Sequence, residues 1–232
     1  MKILVVNPNT SASMTTKIGI AAKAVARPDT QIIAANSQDG PESIQGYLDV
    51  ATCLPGLLAE VKRHGDVDAI VIACFDDTGL DAVRCLVDVP VIGIGEAAYH
   101  AASMIAVKFS VVTTLSRSVP GLEANLARYG LASRCANVRA TDIPVLELER
   151  GDAAITDKIR HEIRLAIAED KAEAIVLGCA GMADLMEQLS REFGLPVVDG
   201  VASAVTMAEA LVAAGLNTSK IGAYAWPETV SA

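Results

Sequence analysis

The feature that most constrains the fold of this chain is an internal repeat with a period of about 105 residues. Three pairs of strand-like segments match at offsets of 105 or 106: residues 2–7 with 108–113, 69–74 with 174–179, and 89–93 with 195–199. A repeat of this length is too long for a solenoid unit and has the size of a small domain. The 232-residue chain is therefore predicted to form two similar lobes related by pseudo-twofold symmetry.

Within each half, short β-branched runs alternate with alanine-rich helical stretches. The predicted strands cover residues 3–7, 31–35, 69–73, 91–94, 109–113, 138–141, 174–177 and 197–199, and the main predicted helices cover 14–26, 57–64, 78–86, 153–169, 182–191 and 202–213. We expect Leu54-Pro55-Gly56 to break or start a helix. Continuous apolar strands between helices are typical of parallel sheets covered on both faces, so the predicted fold class is α/β with mostly parallel sheets.

The repeat places one cysteine at the same position of each half. Cys74 and Cys179 each follow the carboxyl end of a predicted strand and precede a helical stretch. Ligands of α/β sheets bind beyond the carboxyl ends of strands, and the start of a helix favours a thiolate. Facing lobes would bring the two sulfurs to one cleft from opposite sides. One thiolate then removes a proton from an acidic carbon and the opposite thiol returns one to the other face, which requires no cofactor.

Other residues with chemical potential have a structural interpretation. Three cysteines lack a counterpart in the other half and are interpreted as packing residues: Cys53, Cys85 and Cys135. Three histidines fall in helical stretches away from both strand ends, so no metal site is predicted: His64, His100 and His161. Residues 93–96 (GIGE) lack the third glycine of a dinucleotide-binding loop. We therefore expect a tight strand-to-helix turn there and no nucleotide cofactor.

Composition argues against nucleic acid and membranes as partners and against secretion. With 28 acidic and 19 basic residues, a net charge of −9 argues against nucleic-acid binding, and an aromatic content of 3% argues against base stacking. The apolar runs are shorter than the roughly 18 to 20 residues that a membrane span requires. Five cysteines without a CxxC pair, behind a start that lacks a basic and apolar leader, predict a cytoplasmic location.

Six motifs spread over nearly the whole chain resemble those of one known family. They are NPNTS at 7–11, IACFDDTGL at 72–80, FSVVTTLSRSVP at 109–120, IVLGCAGM at 175–182, PVVDGVASAV at 196–205, and TSK at 218–220 followed by AYAWP at 223–227. With these motifs the sequence resembles the hydantoin racemase group, which includes allantoin racemases, of the aspartate/glutamate racemase superfamily.

The resemblance implies two Rossmann-like lobes with the active site in the cleft between them. The first lobe would comprise residues 1–98 plus 204–232 and the second 99–203, with a linker near 96–105 crossing over. It also implies a homo-oligomer and cofactor-independent racemisation of 5-substituted hydantoins, with Cys74 and Cys179 as the catalytic pair. Many relatives carry Gly-Asp-Pro-Gly where this chain has Asp76-Asp77-Thr78-Gly79. Since that loop is expected to line the pocket, the difference bears on substrate scope.

A hydantoin that loses its C5 proton becomes an enolate, which donors aimed at the ring oxygens would stabilise. The candidate substrate-binding residues follow the first strand of each lobe, the two cysteines, or the Gly/Pro-flanked loop 40–47: Asn9, Ser11, Thr113, Thr114, Phe75, Asp76, Asp77, Ala180, Gly181, Ser43 and Ile44. Residues 9–11 have an equally good interpretation as a turn and N-cap of the following helix.

Several functions remain open at this point. Allantoin racemisation follows the same mechanism with a ureido group on the ring. A decarboxylase of the superfamily requires only one cysteine, so the presence of both Cys74 and Cys179 counts against it. An amino-acid racemase of the same superfamily is a more distant alternative. A non-catalytic two-lobed binding protein has no need of paired thiols at strand ends.

Overall fold

The computed structural model describes residues 1–150 and 152–228, and within them the chain forms two four-stranded parallel sheets. The first has the order β2-β1-β3-β4 and contains β1 (Lys2–Asn7), β2 (Gln31–Asn36), β3 (Ala69–Ile72) and β4 (Val91–Gly93). The second has the order β6-β5-β7-β8 and contains β5 (Phe109–Thr113), β6 (Cys135–Ala140), β7 (Ala174–Gly178) and β8 (Val197–Asp199). The same strand order in both halves confirms the predicted α/β class.

A helix follows each strand. In chain order these are α1 (Ala12–Val25), α2 (Tyr47–Arg63), α3 (Leu80–Leu86), α4 (Ile94–Ile105), α5 (Val119–Arg128), α6 (Ala153–Ala168), α7 (Met186–Phe193) and α8 (Gly200–Ala213). Each half of the described chain is thus a series of four βα units. The linker expected near residues 96–105 is helical, because it forms most of α4.

The expected break at residues 54–56 is wrong, since α2 runs through Pro55 without interruption. The proline removes one backbone donor, but the helix buries Leu57 and Val61 against the first sheet, and this packing outweighs the local penalty. Gly56 also has a specific use. A Cβ at this position would lie 2.2 Å from the carbonyl oxygen of Asp39, so glycine lets α2 approach the loop after β2.

One hydrophobic core extends across both halves of the molecule. The strands alternate their side chains between two faces: Ile3 and Val5 enter the shared core, whereas Leu4 and Val6 enter an outer core under α2 and α3. Val176 of the second sheet belongs to the same shared core. The carboxyl ends of the two sheets are therefore held in a fixed relation by a continuous packed interior.

The last helix contacts the first half of the chain. Glu209 of α8 is buried, and its Oε1 accepts hydrogen bonds from the Arg27 backbone N at 2.9 Å and from Thr30 Oγ1 at 2.6 Å. After α8, the backbone N of Thr218 donates to the carbonyl oxygen of Asp88 at 2.7 Å. These contacts are compatible with the proposed division into 1–98 plus 204–232 and 99–203, which stays a prediction. In the part of the chain that the structure describes, no helix has the length and apolar character to cross a membrane.

Candidate active site

The two repeat-related cysteines line one cavity between the carboxyl ends of the two sheets. Cys179 directly follows β7, and Cys74 lies two residues beyond the end of β3. The cavity opens to solvent, and its empty space of about 480 Å³ includes the solvent at its mouth. Its lining residues are Asn9, Met14, Ile44, Ala73, Cys74, Phe75, Asp76, Thr113, Thr114, Ser118, Leu122, Val145, Gly178, Cys179 and Ala180.

The sulfur of Cys179 accepts a backbone hydrogen bond and is influenced by the charge of a nearby lysine. The Gly181 backbone N donates to Sγ at 3.4 Å, at the start of the 3₁₀ turn Ala180–Leu185. Burial raises the pKa of this thiol to about 11, although the Gly181 hydrogen bond and the charge of Lys17 both lower it. A thiolate with so high a pKa is scarce at neutral pH and is a strong base once formed.

Cys74 has a negatively charged neighbour, Asp76, where Cys179 has the positively charged Lys17. Burial raises the pKa of this thiol well above its ordinary value, and the Asp76 carboxylate raises it further through its charge and a hydrogen bond. The carboxylate is itself held in place, because the Thr78 backbone N donates to Asp76 Oδ1 at 3.1 Å and the Thr78 hydroxyl bonds to the same oxygen. The two sulfurs thus occupy equivalent positions in unlike electrostatic surroundings.

Asp77 was predicted to contact substrate, but the structure does not bring it to the cavity wall. Its buried carboxylate accepts hydrogen bonds from the backbone N of Gly95 at 2.9 Å, the backbone N of Glu96 at 2.7 Å and the hydroxyl of Tyr129 at 2.8 Å. It therefore binds the first turn of α4, where the helix dipole favours an anion. Burial raises the pKa of Asp77 to about 7, against the lowering effect of these three donors.

Residues 93–96 form the predicted turn from strand to helix, and Asp77 explains their two glycines. A Cβ on Gly93 would lie 2.1 Å from Asp77 Oδ1, and a Cβ on Gly95 would lie 2.3 Å from the Phe75 carbonyl oxygen. The turn resembles an anion-binding loop because the Asp77 carboxylate lies where a bound anion would, and the two glycines leave room for it.

The segment after β1 contributes one cavity residue and one cap. Asn9 lines the cavity, and its Oδ1 accepts from Asn7 Nδ2 at 2.7 Å and from the Ser11 backbone N at 2.9 Å. Ser11 does not line it. Its Oγ accepts from the Met14 backbone N at 3.2 Å, so Ser11 is the N-cap of α1. The cap interpretation therefore fits Ser11, and the cavity position fits Asn9.

The matching segment of the second half supplies two buried threonines to the cavity. Thr113 Oγ1 donates to the Gly178 carbonyl oxygen at 2.9 Å and joins β5 to β7 beside Cys179. The Thr114 carbonyl oxygen accepts from Thr141 Oγ1 at 3.2 Å. A Cβ on Gly178 would lie 2.8 Å from the Thr113 Cβ, so the absence of a side chain there lets the two strand ends approach.

Ser43 and Ile44 are the two predicted substrate contacts of the loop 40–47, and only Ile44 lines the cavity. Ser43 is buried outside the lining, and its Oγ accepts from Gln45 Nε2 at 2.5 Å. Ile44 also borders a second pocket, which shares Asp76 and Ser118 with the main cavity and continues it outward. That second pocket, here called the side pocket, is lined by Ile44, Gly46, Tyr47, Val50, Asp76, Arg117, Ser118, Gly121, Ala124 and Asn125.

Some lining residues were missed by sequence reasoning. Ser118 and Leu122 lie in or next to the FSVVTTLSRSVP motif, so their position near Thr113 was a usable signal. Met14 follows NPNTS in the same way. Val145 had no such signal, because it comes from the 3₁₀ segment Val145–Arg150, far from every motif. Gly181 stays just behind the lining as the hydrogen-bond donor to Cys179.

The residues interpreted as structural stay away from the cavity. None of the three histidines and none of the other three cysteines is among its lining residues. His64, at the end of α2, has Nε2 3.0 Å from Glu60 Oε1. Across residues 1–150 and 152–228, no group of three or more His, Cys, Asp or Glu residues has an arrangement that could hold a metal ion.

The fold and the cavity define a class of α/β protein with two parallel sheets, in which one thiol beyond a strand of each sheet lines a common cavity. The chain belongs to the Asp/Glu/hydantoin racemase family, whose model matches residues 3–208. It is 49% identical over 235 residues to a hydantoin racemase of Rhizobium meliloti, a match that covers 100% of this chain and 97% of the relative. The protein is accordingly an isomerase of the racemase type.

Solved structures agree with this assignment. The chain is similar to an allantoin racemase from Klebsiella pneumoniae with a TM-score of 0.96 and 48% identity, covering 99% of this chain and 94% of that one. It is also similar to an allantoin racemase from Pseudomonas fluorescens with a TM-score of 0.97 and 45% identity, covering 100% and 99%. The sequence relative is named a hydantoin racemase and the two solved structures are named allantoin racemases, so similar proteins are named for two different substrates.

Proposed function

We propose that this protein racemises 5-substituted hydantoins through a two-base mechanism in which Cys74 and Cys179 act on opposite faces of C5. The observation that carries the proposal is that the only two cysteines related by the repeat both line one cavity. A 1,1-proton transfer needs an acid/base group on each side of the carbon, and a thiol is competent in both roles.

The proposed reaction is balanced within the active site. One cysteine thiolate takes the C5 hydrogen as a proton, and the C–H bonding electrons pass into the ring carbonyl to form an enolate. The thiol opposite then gives its proton to C5 from the other face, and the enolate electrons form the new C–H bond. The product has the mirror configuration, and the enzyme is left with the two sulfur protonation states exchanged.

The cavity contains groups suited to holding the ring and the enolate charge. Asn9 Nδ2 and the Thr114 hydroxyl lie on residues that line the cavity, as do the backbone groups of Phe75 and Ala180. Polar donors placed toward a developing oxyanion are worth several kcal/mol in a site shielded from water, of the order of 3 kcal/mol each. We assign the ring-binding role to this set and the positioning of β5 against β7 to Thr113.

We assign the C5 substituent to the side pocket. This pocket shares Ile44, Asp76 and Ser118 with the cysteine cavity and has a partly aliphatic wall that includes Val50 and Ala124. Neither cysteine lines the side pocket, so a substituent bound there would lie apart from the two sulfurs. The wall suits alkyl and benzyl groups on the hydantoin ring.

Allantoin is a second candidate substrate, and two observations favour it. Two of the similar solved structures are allantoin racemases. The side pocket also has a polar border, where Arg117 donates to Gln45 Oε1 at 3.2 Å. Guanidinium donors and an amide can recognise the ureido carbonyl and NH groups that distinguish allantoin from an alkyl hydantoin.

The proposal is tested with single enantiomers of allantoin, an alkyl hydantoin and a benzyl hydantoin, followed by optical rotation without added cofactor. Rotation should decay to zero for at least one of them, and the fastest decay identifies the preferred substituent. Cys74→Ser and Cys179→Ser should abolish the decay. Cys85→Ser, at a half-buried cysteine outside the cavity, is the matched control and should retain it. Racemisation that survives either cavity substitution contradicts the two-cysteine mechanism.

Exchange in deuterated water separates the two bases. Each serine variant should still exchange the C5 hydrogen of one enantiomer, and the two variants should prefer opposite enantiomers. If both variants lost exchange with both enantiomers equally, the assignment of one cysteine to each face would be wrong.

A further inference from the structure

The two cysteine sites differ in charge although the repeat relates them. At an offset of 105, Asp76 of the first half corresponds to Gly181 of the second. Each sulfur accepts a hydrogen bond from the backbone N–H two residues along the chain, but at Cys74 that residue also brings a carboxylate, which glycine lacks at Cys179. A neighbouring anion disfavours a thiolate.

Lys17 adds to this difference from another helix. It belongs to α1 in the first half, and its half-buried side chain crosses to the turn that follows Cys179. The Lys17 Nζ donates to the Gly181 carbonyl oxygen at 2.9 Å and lies 3.0 Å from Asp184 Oδ1. Gly181 is the residue whose backbone N–H reaches the Cys179 sulfur, so Lys17 fixes the position of the donor residue.

We propose that Lys17 is a positioning residue that holds the loop after Cys179 and makes Cys179 the first of the two thiols to ionise, while Asp76 keeps the proton on Cys74. The inference rests on the proposed cysteine pair. The charged and titratable groups that bear on Cys179 are Lys17, Asp76 and Cys74, and Asp184 bears on it through its ion pair with Lys17. Of the charges acting on the Cys179 thiol, Lys17 lowers its pKa and Asp76 raises it.

The consequence is that the two enantiomers meet unequal forms of the enzyme. Of the two forms of the enzyme that carry one thiolate, the favoured form has the thiolate at Cys179 and a thiol at Cys74, and it accepts protons only from the face that Cys179 serves. A turnover leaves Cys179 protonated and Cys74 ionised, which is the disfavoured form. One proton must then return from Cys179 to Cys74 before the enzyme can take the same enantiomer again.

Alkylation by iodoacetamide measures this difference without any racemisation, because only the thiolate reacts. The rate at each cysteine is followed between about pH 7 and 10 by peptide mass spectrometry. In Lys17→Met we expect alkylation of Cys179 to slow about tenfold throughout this pH range, since losing a nearby cation raises the pKa of a thiol by about one unit. The Cys74 rate should not change. An unchanged Cys179 rate would overturn the proposal.

Three further variants separate charge from structure. Lys17→Arg keeps the charge and should restore Cys179 alkylation. Lys17→Gln keeps a donor for the Gly181 carbonyl but no charge, and should be as slow as Lys17→Met; a wild-type rate would refute the electrostatic role. Lys23→Met changes an exposed lysine in the last turn of the same helix and should match wild type. If Lys17→Met fails to fold, the Arg and Gln variants decide. A wild-type protein that shows the labelling difference but no racemisation refutes the proposed function alone.

Discussion

Replacing Tyr129 with phenylalanine removes a single oxygen atom that connects α5 to the loop after Cys74. The Tyr129 hydroxyl donates to Asp77 Oδ2 at 2.8 Å, and Asp77 is only 6% exposed. A hydrogen bond to a charged group contributes about 1.5 to 3 kcal/mol. Because Tyr129 is half-buried, we expect Tyr129→Phe to lower the free energy of unfolding by about 2 kcal/mol, which is about thirtyfold in the unfolding equilibrium.

The loss should depend on pH with a definite sign. Burial raises the pKa of Asp77 to about 7, and the Tyr129 hydrogen bond lowers it. The pKa of an aspartate in an unfolded chain is about 3.9. Since the pKa of Asp77 is higher in the folded protein, its contribution to stability is fully present below about pH 3.9 and is lost as pH rises through about 7. Tyr129 opposes that loss by binding the ionised form. The penalty of Tyr129→Phe should therefore be larger at about pH 8.5 than at about pH 5.5.

Urea unfolding at both pH values measures this penalty. With a slope of about 3 kcal/mol per molar urea, the expected loss at the higher pH moves the midpoint down by about 0.7 M. Tyr47→Phe is the matched control, since Tyr47 is 69% exposed, and it should leave the midpoint unchanged. An equal penalty at both pH values, or none, would refute the role assigned to the hydroxyl.

Three more predictions concern the catalytic thiol, the α4 turn and the side pocket. Because burial raises the pKa of Cys179 to about 11, kcat/KM for racemisation should rise from about pH 7 to 10; a flat profile in a polarimetric assay would contradict this. Gly95→Ala would place a Cβ 2.3 Å from the Phe75 carbonyl and should cost at least about 3 kcal/mol in urea unfolding, whereas Gly65→Ala, with nothing within 4 Å, should cost almost nothing. Arg117→Met should raise KM for allantoin about tenfold and leave KM for an alkyl hydantoin nearly unchanged; equal effects would remove Arg117 from ureido recognition.

The sequence was most informative where local pattern and repeat coincide. The segments that end in Cys74 and Cys179 are buried β-strands with a fixed chain direction, so their carboxyl ends could be predicted from residue types alone. Nine of the thirteen predicted site residues line the cavity: Asn9, Ile44, Cys74, Phe75, Asp76, Thr113, Thr114, Cys179 and Ala180. The catalytic and binding roles of these residues stay predictions.

The failures occur where distant contacts decide local structure. The start of α4 contains Gly95, a poor helix former, and the helix is stabilised there by Asp77 from 18 residues earlier in the chain. The same contact removes Asp77 from the cavity, which no local pattern could indicate. In α2, burial of Leu57 and Val61 outweighs the break expected at Pro55. Val145 reaches the cavity only through the path of the chain after β6.

The shared interior sets how the molecule must unfold. Tyr99 of α4 is fully buried, with its ring 5.3 Å from Phe75 in the first half and 6.2 Å from Phe109 in the second, centroid to centroid. A chain ending before residue 99 would leave Phe75 without this partner, and one starting later would expose Phe109. Neither half can bury its inner face alone, so the two repeats should melt in a single cooperative transition. The spacing between the two sulfurs should then be lost only when the whole protein unfolds.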